Sequence, residues 1–376
     1  MNQTEYIGFG CIDKFREILS FEKPKKIFLV TGKNSYRVSG AEAKLEILNP
    51  YCSTTRFSDF SPSPKLSDLE KGLKLFKEDN YDLVVAVGGG SAIDMAKLIN
   101  ILAAQPGNPV QYLKNENEII FKPKKLVAIP TTAGSGSEST HFAVIYIDGI
   151  KYSLAHESIL PRYSIVDPNL ALTLSPREAA SCGMDALGQA IESYWNINST
   201  EESKKYSKEA ISLIINNFSD SMNNIRRNPK LAMAKAAHLA GKAINITKTT
   251  ASHAISYPLT SRFNIPHGHA VSLTLGEMLV YNSNVTKEDC LDKRGVDYVK
   301  KTINEIVKLL DSKDVESARS KINSLMEEAG LETKLSELKV FDKDIIIKEG
   351  FNTERVKNNP RRLTEENLRK LLNTLE

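Results

Sequence analysis

Two hydrophobic rhythms divide this chain. Up to about residue 175 short apolar runs alternate with amphipathic stretches, and beyond it apolar positions recur at helical spacing. Lys26-Ile27-Phe28-Leu29-Val30-Thr31 ends at Gly32, as a buried strand meeting a turn does. Residues 64–79 predict an amphipathic helix opened by Pro64, with Leu66, Leu69, Leu73 and Phe76 on one side. Leu83–Val87 is the clearest strand and runs into Gly88-Gly89-Gly90-Ser91 and a helix over 92–104. Leu126–Ile129 is another strand, ending at Pro130-Thr131-Thr132. Residues 142–147 and 151–154 predict two strands around Asp148-Gly149, a hairpin signal, and Tyr163–Val166 leads to Asp167-Pro168. From Ser175 onward the pattern predicts helices over roughly 176–196, 201–225, 229–247, 249–260, 268–282, 292–311, 314–329, 342–349 and 364–375. Ser175-Pro176, Asp220, Thr286 and Thr364 supply breaks or caps. The strand–helix alternation argues a Rossmann-like parallel sheet. The expected organisation is an α/β domain over 1–175 and an all-helical domain over 176–376, with the active site in the cleft between them.

Composition narrows the function classes. At 376 residues the chain is long enough for two cores. With 50 basic and 46 acidic residues and a net charge of +4, nothing argues for a nucleic-acid partner. Cys11, Cys52, Cys182 and Cys290 are scattered without paired spacing, which reads as free thiols. MNQTEYIGFG lacks the basic and apolar segments of a signal peptide, and no apolar run reaches the ~18 residues a bilayer span needs. A cytoplasmic protein with no membrane partner is expected.

Two stretches carry candidate chemistry. Gly88–Ser91 sits between a strand and a helix, where backbone amides and the helix dipole favour an anion. It lacks the GxGxxG spacing, and a tight strand-to-helix turn explains the same residues. In the second half, Asp185 and Gln189 lie four apart and share a helix face. His253 and His267 are separated by Pro258 and Pro266, so they belong to different elements. A carboxylate, an amide oxygen and two imidazoles from three elements suit one Zn or Fe(II) ion, although histidines in helical segments are more often packing residues.

The blocks GGGSAIDMAK (88–97), IPTTAGSGSE (129–138), GMDALGQAIESYW (183–195) and HAISYP…IPHGHA resemble, in order, those of the iron-containing, group III alcohol dehydrogenases. The resemblance spans nearly the whole chain. It implies a dehydroquinate synthase-like fold, with a nucleotide domain in front and metal-binding helices behind. It implies metal ligation by Asp185, His253 and His267, with Gln189 standing where the family usually has histidine and Tyr257 replacing a further family histidine. A neutral amide oxygen is a weaker ligand than imidazole for soft metals. The resemblance further implies that Gly89, Gly90, Ser91 and Asp94 receive the NAD(P) pyrophosphate. Thr131, Thr132 and Ser135 match contacts to the nicotinamide half, and Lys151 matches a lysine near the ribose. Dimers are common in the family.

That resemblance implies hydride transfer between NAD(P)H and a carbonyl polarised by the metal, with Tyr257, His269 or a water supplying the proton. After the first strand, Gly32-Lys33-Asn34-Ser35-Tyr36-Arg37 has no acid to hold a ribose 2′-hydroxyl. Lys33, Ser35 and Arg37 can receive a 2′-phosphate, so NADP(H) is expected over NAD(H). The stretch GKAINITKTT (241–250) before His253 is polar and basic, and Arg262 follows. Lys242, Lys248 and Arg262 can grip an anionic head, or can be solvated or paired with acids. Together with Gln189 these residues resemble the phosphonoacetaldehyde reductase branch, which makes 2-hydroxyethylphosphonate. The alternatives are a general alcohol or butanol dehydrogenase, a glycerol dehydrogenase or dehydroquinate synthase relative, and a catalytically silent NADP-binding relative.

Overall fold

The computed structural model describes residues 3–48, 52–222, 227–351 and 354–376. The chain divides into two compact units, Met1–Leu174 and Ser175–Glu376.

The first unit contains strands β1 (Thr4–Ile7), β2 (Lys26–Thr31), β3 (Ser53–Phe57), β4 (Leu83–Gly88), β5 (Lys125–Pro130), β6 (Phe142–Ile147), β7 (Ile150–Ala155) and β8 (Tyr163–Val166). Its helices are α1 (Lys14–Glu22), α2 (Ser35–Val38), α3 (Ala41–Leu48), α4 (Leu66–Phe76), α5 (Gly90–Ala103) and α6 (Pro109–Leu113). Six strands form one parallel sheet in the order β1-β8-β5-β4-β2-β3, while β6 and β7 form the expected antiparallel hairpin. Successive side chains of a strand face opposite sides. Phe28, Val30, Val84, Ala86, Leu126 and Ala128 accordingly pack on one face with α4 and α5. Ile27, Leu29, Val85, Val87, Val127 and Ile129 pack on the other with α1 and α3. Burial on both faces is why these strands read as continuous apolar runs. The strands Thr4–Ile7 and Ser53–Phe57 gave no such signal, because they are the two edges and carry partly exposed polar residues.

From β2 the chain moves outward to β3, then returns to place β4 on the other side of β2. The carboxyl ends of β2 and β4 therefore flank a topological switch point, where open α/β sheets take ligands. Gly32 and Gly88 stand there, and the Gly32 N–H donates to the Val87 carbonyl at 3.1 Å. Gly88 has φ +156°, and a Cβ on it would lie 2.7 Å from the Ala92 Cβ. The helix after it begins at Gly90 rather than Ala92, so the glycines form its first turn.

The second unit is helical: α7 (Pro176–Trp195), α8 (Glu201–Met222), α9 (Arg227–Thr247), α10 (Ala251–Phe263), α11 (His267–Ser283), α12 (Val296–Leu309), α13 (Val315–Glu328), α14 (Lys343–Gly350) and α15 (Glu365–Asn373). Residues 223–225 of the expected 201–225 helix lie outside the described residues. Ser175 caps α7 in a reciprocal box with Glu178, and Thr364 caps α15, as the sequence predicted. Asp220 instead lies within α8, and the Thr286 N–H bonds Asp289 in a turn well before α12. His253 and His267 lie on different helices, as expected, but Pro258 does not separate them. It lies inside α10, which ends only at Asn264, in the left-handed region at φ 55°. The lost N–H of Pro258 leaves the Ala254 carbonyl open, and α14 packs there, with the Gly350 Cβ position 3.3 Å from that oxygen.

Among the described residues no helix is long and apolar enough to cross a membrane.

Phe28 is fully buried and meets Phe76 and Tyr81 edge-on, with ring centroids 4.9 and 5.1 Å away. Phe28→Ala is expected to destabilise the first unit by about 3–5 kcal/mol. A lower urea midpoint at unchanged slope checks this; an unchanged midpoint refutes it.

A candidate metal centre and a glycine-lined cofactor turn

Three helices of the second unit bring the expected ligands together. One ligand atom from each of Asp185 (α7), His253 (α10) and His267 (α11) lies within 4.8 Å of the other two. Small rotations close that spacing onto one ion at the ~2.0–2.2 Å usual for Zn–nitrogen and Zn–oxygen bonds. The packing that allows this depends on glycine. A Cβ on Gly268 would lie 1.9 Å from the Ser181 carbonyl and 2.8 Å from the Asp185 Cβ. A Cβ on Gly188 would lie 2.7 Å from the Val271 Cγ1. Both glycines let α11 approach α7 beside the carboxylate.

The donor set fits a divalent cation. His253 Nδ1 lies 2.6 Å from Glu192 Oε2, so the Nδ1–H donates and the Nε2 lone pair faces inward. That Nε2 and Asp185 Oδ1 are 3.4 Å apart, both buried, and neither has a hydrogen-bond partner among the described residues. Burial disfavours an imidazolium at His253, yet Glu192 and Asp185 lift its pKa to about 9. Burial likewise acts to raise Asp185, but the facing histidines hold its carboxyl below the usual range. The site is thus built to hold positive charge. Gln189, one turn on along α7, adds to the interactions that keep the Asp185 carboxyl low.

Sequence reading missed Glu192. This fully buried carboxylate accepts backbone N–H groups from Thr250 at 2.8 Å, Ser252 at 2.7 Å and His253 at 3.2 Å, besides the imidazole. Burial works to raise its pKa, but His253 and the amides lower it. Thr250, the residue before α10, makes no side-chain cap of its own, so Glu192 from α7 caps that helix. The signal was present: Asp185, Gln189 and Glu192 fall at i, i+4 and i+7 on a mostly apolar helix.

The two expected proton donors part company. The Tyr257 ring stacks on His267 at 6.5 Å with 21° between planes. His269 is fully buried with Nε2 2.7 Å from the Glu332 carbonyl, and burial lowers its pKa. A neutral imidazole held by a backbone oxygen ties the 332 loop to α11.

The three expected substrate cations are drawn to separate partners. Arg262 makes a two-point bond to Glu349, at 3.0 and 2.7 Å. Lys242 Nζ lies 4.8 Å from the centre of the Tyr206 ring. Lys248, in the left-handed region at φ 62°, reaches Glu354 at 4.0 Å. Arg262 is thus paired with an acid in this structure.

In the first unit the cofactor candidates form one neighbourhood. A Cβ on Gly89 would lie 3.4 Å from Thr132, and one on Gly90 would lie 2.9 Å from Ser135 Oγ. Gly89 leaves the start of α5 without a side-chain cap. Thr131 Oγ1 is buried without a hydrogen-bond partner among the described residues. An uncapped helix start, a cradle that a Cβ would fill and an unspent hydroxyl fit a pyrophosphate and its attached groups. Two expected contacts are committed elsewhere: Ser91 Oγ donates to the Pro62 carbonyl, and Asp94 accepts from Ser137 Oγ and the Val144 N–H. Lys151 lies on β7, where its charge acts on Asp94. Ser35 Oγ folds over Gly32, 2.1 Å from where its Cβ would be.

A doubly wound sheet with a glycine turn, and a helical unit with a carboxylate and two imidazoles, fit an enzyme that uses a dinucleotide and a divalent metal. Comparison with known proteins agrees. The family model "Iron-containing alcohol dehydrogenase" matches residues 2–168, and "Fe-containing alcohol dehydrogenase family, C-terminal" matches 179–375. The chain belongs to the iron-containing alcohol dehydrogenase family, and is an NAD(P)-dependent alcohol dehydrogenase or aldehyde reductase. It is 33% identical to a phosphonoacetaldehyde reductase of Streptomyces viridochromogenes over 77% of this chain and 75% of that one. It is 31% identical to long-chain-alcohol dehydrogenase 1 of Geobacillus thermodenitrificans over 73% and 71%. Its fold matches a crystal structure of sulfoacetaldehyde reductase from Bifidobacterium kashiwanohense in complex with NAD+, at TM-score 0.87, 28% identity and coverage of 99% and 96%.

Glu192→Gln puts an amide N–H against backbone donors and removes the charge on the His253 Nδ1–H. It is expected to weaken metal binding ~10–100-fold, read by chelator competition; wild-type affinity would refute the role. Gly268→Ala is expected to lower both metal stoichiometry by elemental analysis and thermal stability, since backbone blocks the new methyl.

Proposed function

We propose that this chain reduces a small anionic aldehyde of the phosphonoacetaldehyde kind to its alcohol, using NADPH and one divalent metal. The convergence of Asp185, His253 and His267 carries the metal-dependent part of the reading. Residues 1–175 bind the dinucleotide, and 176–376 hold the metal and the substrate. Two similar proteins bear the names of reductases for aldehydes with a phosphonate or sulfonate head, which supports an anionic substrate.

When bound, the metal supplies a Lewis acid for the carbonyl and NADPH supplies the hydride. Asp185, His253 and His267 hold the metal, with Gln189 completing the set as a ligand or as the donor that orients Asp185. Glu192 fixes the tautomer of His253. Tyr257, stacked on His267, passes the proton to the developing alkoxide. Gly89 and Gly90 offer the backbone at the start of α5 to the pyrophosphate, with Ser91 alongside. Thr131, Thr132 and Ser135 face the nicotinamide half, and Lys151 the ribose. Gly32, Lys33, Ser35 and Arg37 take the 2′-phosphate, in the absence of an acid at that strand end. Lys248 and Lys242 attract the substrate anion, while Arg262 acts at most through Glu349.

A second reading, a general alcohol dehydrogenase, is favoured by the acid that Arg262 meets and by the long-chain-alcohol relative. NADPH oxidation by metal-loaded protein separates the two. A kcat/KM for phosphonoacetaldehyde at least tenfold above that for propanal or butanal is expected, with Lys248→Ala raising KM for the phosphonate alone. Equal or better turnover of butanal would sink the anionic reading. An NADH kcat/KM equal to that of NADPH would sink the 2′-phosphate assignment.

A further inference from the structure

The most deeply placed cation of the first unit is one that the proposed chemistry does not use. Lys97 lies on α5, two turns from the glycine start of that helix, and is 1% exposed. Its Nζ donates to the Ser137 carbonyl at 2.6 Å, the Thr140 hydroxyl at 3.0 Å, the Phe142 carbonyl at 3.0 Å and Ser137 Oγ at 3.2 Å. One turn earlier on the same face, Asp94 accepts from Ser137 Oγ and, at 3.0 Å, from the Val144 N–H. The two charged side chains thus grip one segment from both sides. That segment carries the hydroxyl loop. At its start the Thr131 N–H donates to the Gly88 carbonyl at 3.0 Å. Between that bond and the Lys97 anchor run residues 132–136, which include Thr132 against Gly89, Ser135 against Gly90, and Gly136 at φ +59°.

We infer that Lys97 is a positioning residue for the dinucleotide: it sets the spacing between the Gly89–Gly90 turn and the Thr131–Ser135 loop. The inference rests on the reading that the cofactor binds those two loops. A buried ammonium is an expensive way to fill space, and an apolar side chain of similar volume is often as stable. What an ammonium supplies that a methionine cannot is direction, with its hydrogens shared among four oxygens on one segment. Charged groups facing it are Asp94 on its own helix and Glu138 on the segment, with Lys151 acting on Asp94 from β7. Burial outweighs those carboxylates and lowers the Lys97 pKa to about 8. The grip is therefore complete below that pH and weakens above it.

The test measures NADPH affinity by fluorescence across pH 6.5–9.5 on metal-loaded protein. It compares the wild type with Lys97→Met, Ser137→Ala and Gly90→Val. Lys97→Met is expected to weaken NADPH binding ~10–100-fold at pH 7, a loss of the size that loop misplacement causes. Metal affinity should stay at the wild-type value. Wild-type affinity should fall as pH rises through about 8, and that step should be missing in Lys97→Met. If Lys97→Met does not fold, Ser137→Ala carries the test through a smaller loss of the same kind. Wild-type NADPH affinity in both variants, while Gly90→Val abolishes binding, overturns the role of Lys97. So does a parallel loss of NADPH and metal binding in Lys97→Met, which marks a general packing defect. Unchanged binding in Gly90→Val would instead overturn the cofactor assignment itself.

Discussion

One carboxylate organises the helical unit. Glu192 is removed from water and surrounded by the N–H groups of Thr250, Ser252 and His253 and by the His253 imidazole. A charge buried without partners costs several kcal/mol, so this arrangement persists only while all the donors stay in place. The same contacts satisfy the open start of α10 and orient the imidazole that α10 carries. Secondary structure and site geometry are here a single constraint: α10 cannot shift along α7 without losing its cap and its ligand together.

The first unit uses a buried charge differently. Its sheet is apolar on both faces. Its buried ions instead sit where the chain leaves the sheet, tying the segment after Pro130 to the helix after Gly88. In both units apolar burial supplies bulk stability, which is non-directional. The few buried charges fix directions that apolar packing leaves loose, and they do so beside the residues that carry the chemistry.

How much of this was legible depended on the kind of signal. The inner strands announced themselves because a strand buried on both faces must be apolar throughout, as Leu83–Val87 is. The edge strands Thr4–Ile7 and Ser53–Phe57 were silent for the opposite reason. Helix existence was clear, but punctuation was not. Pro258 lies inside the helix expected over 249–260, and α10 runs past that expected end to Phe263. Asp185, His253 and His267 were recognisable from residue type and the motif around them. Glu192 lay inside the quoted block without being singled out, because its partners are backbone amides that no sequence pattern displays. For His269 and Arg262 the sequence offered the chemistry but not the partners. Only the fold reveals that His269 meets the Glu332 carbonyl and Arg262 the Glu349 carboxylate.

The edge strand β1 has a consequence in time rather than in energy. Its partner in the sheet is β8, with Thr4 beside Tyr163 and Ile7 beside Val166. The sheet begins with its outermost strand, yet that strand has nothing to pair with until roughly 160 residues have followed it. At typical synthesis rates of about 5–20 residues per second, the amino-terminal segment spends on the order of ten to thirty seconds on the ribosome as an unmatched strand. Its brevity and the adjacent polar Thr4 and Glu5 suit a segment that must wait in water without pairing with a neighbouring nascent chain.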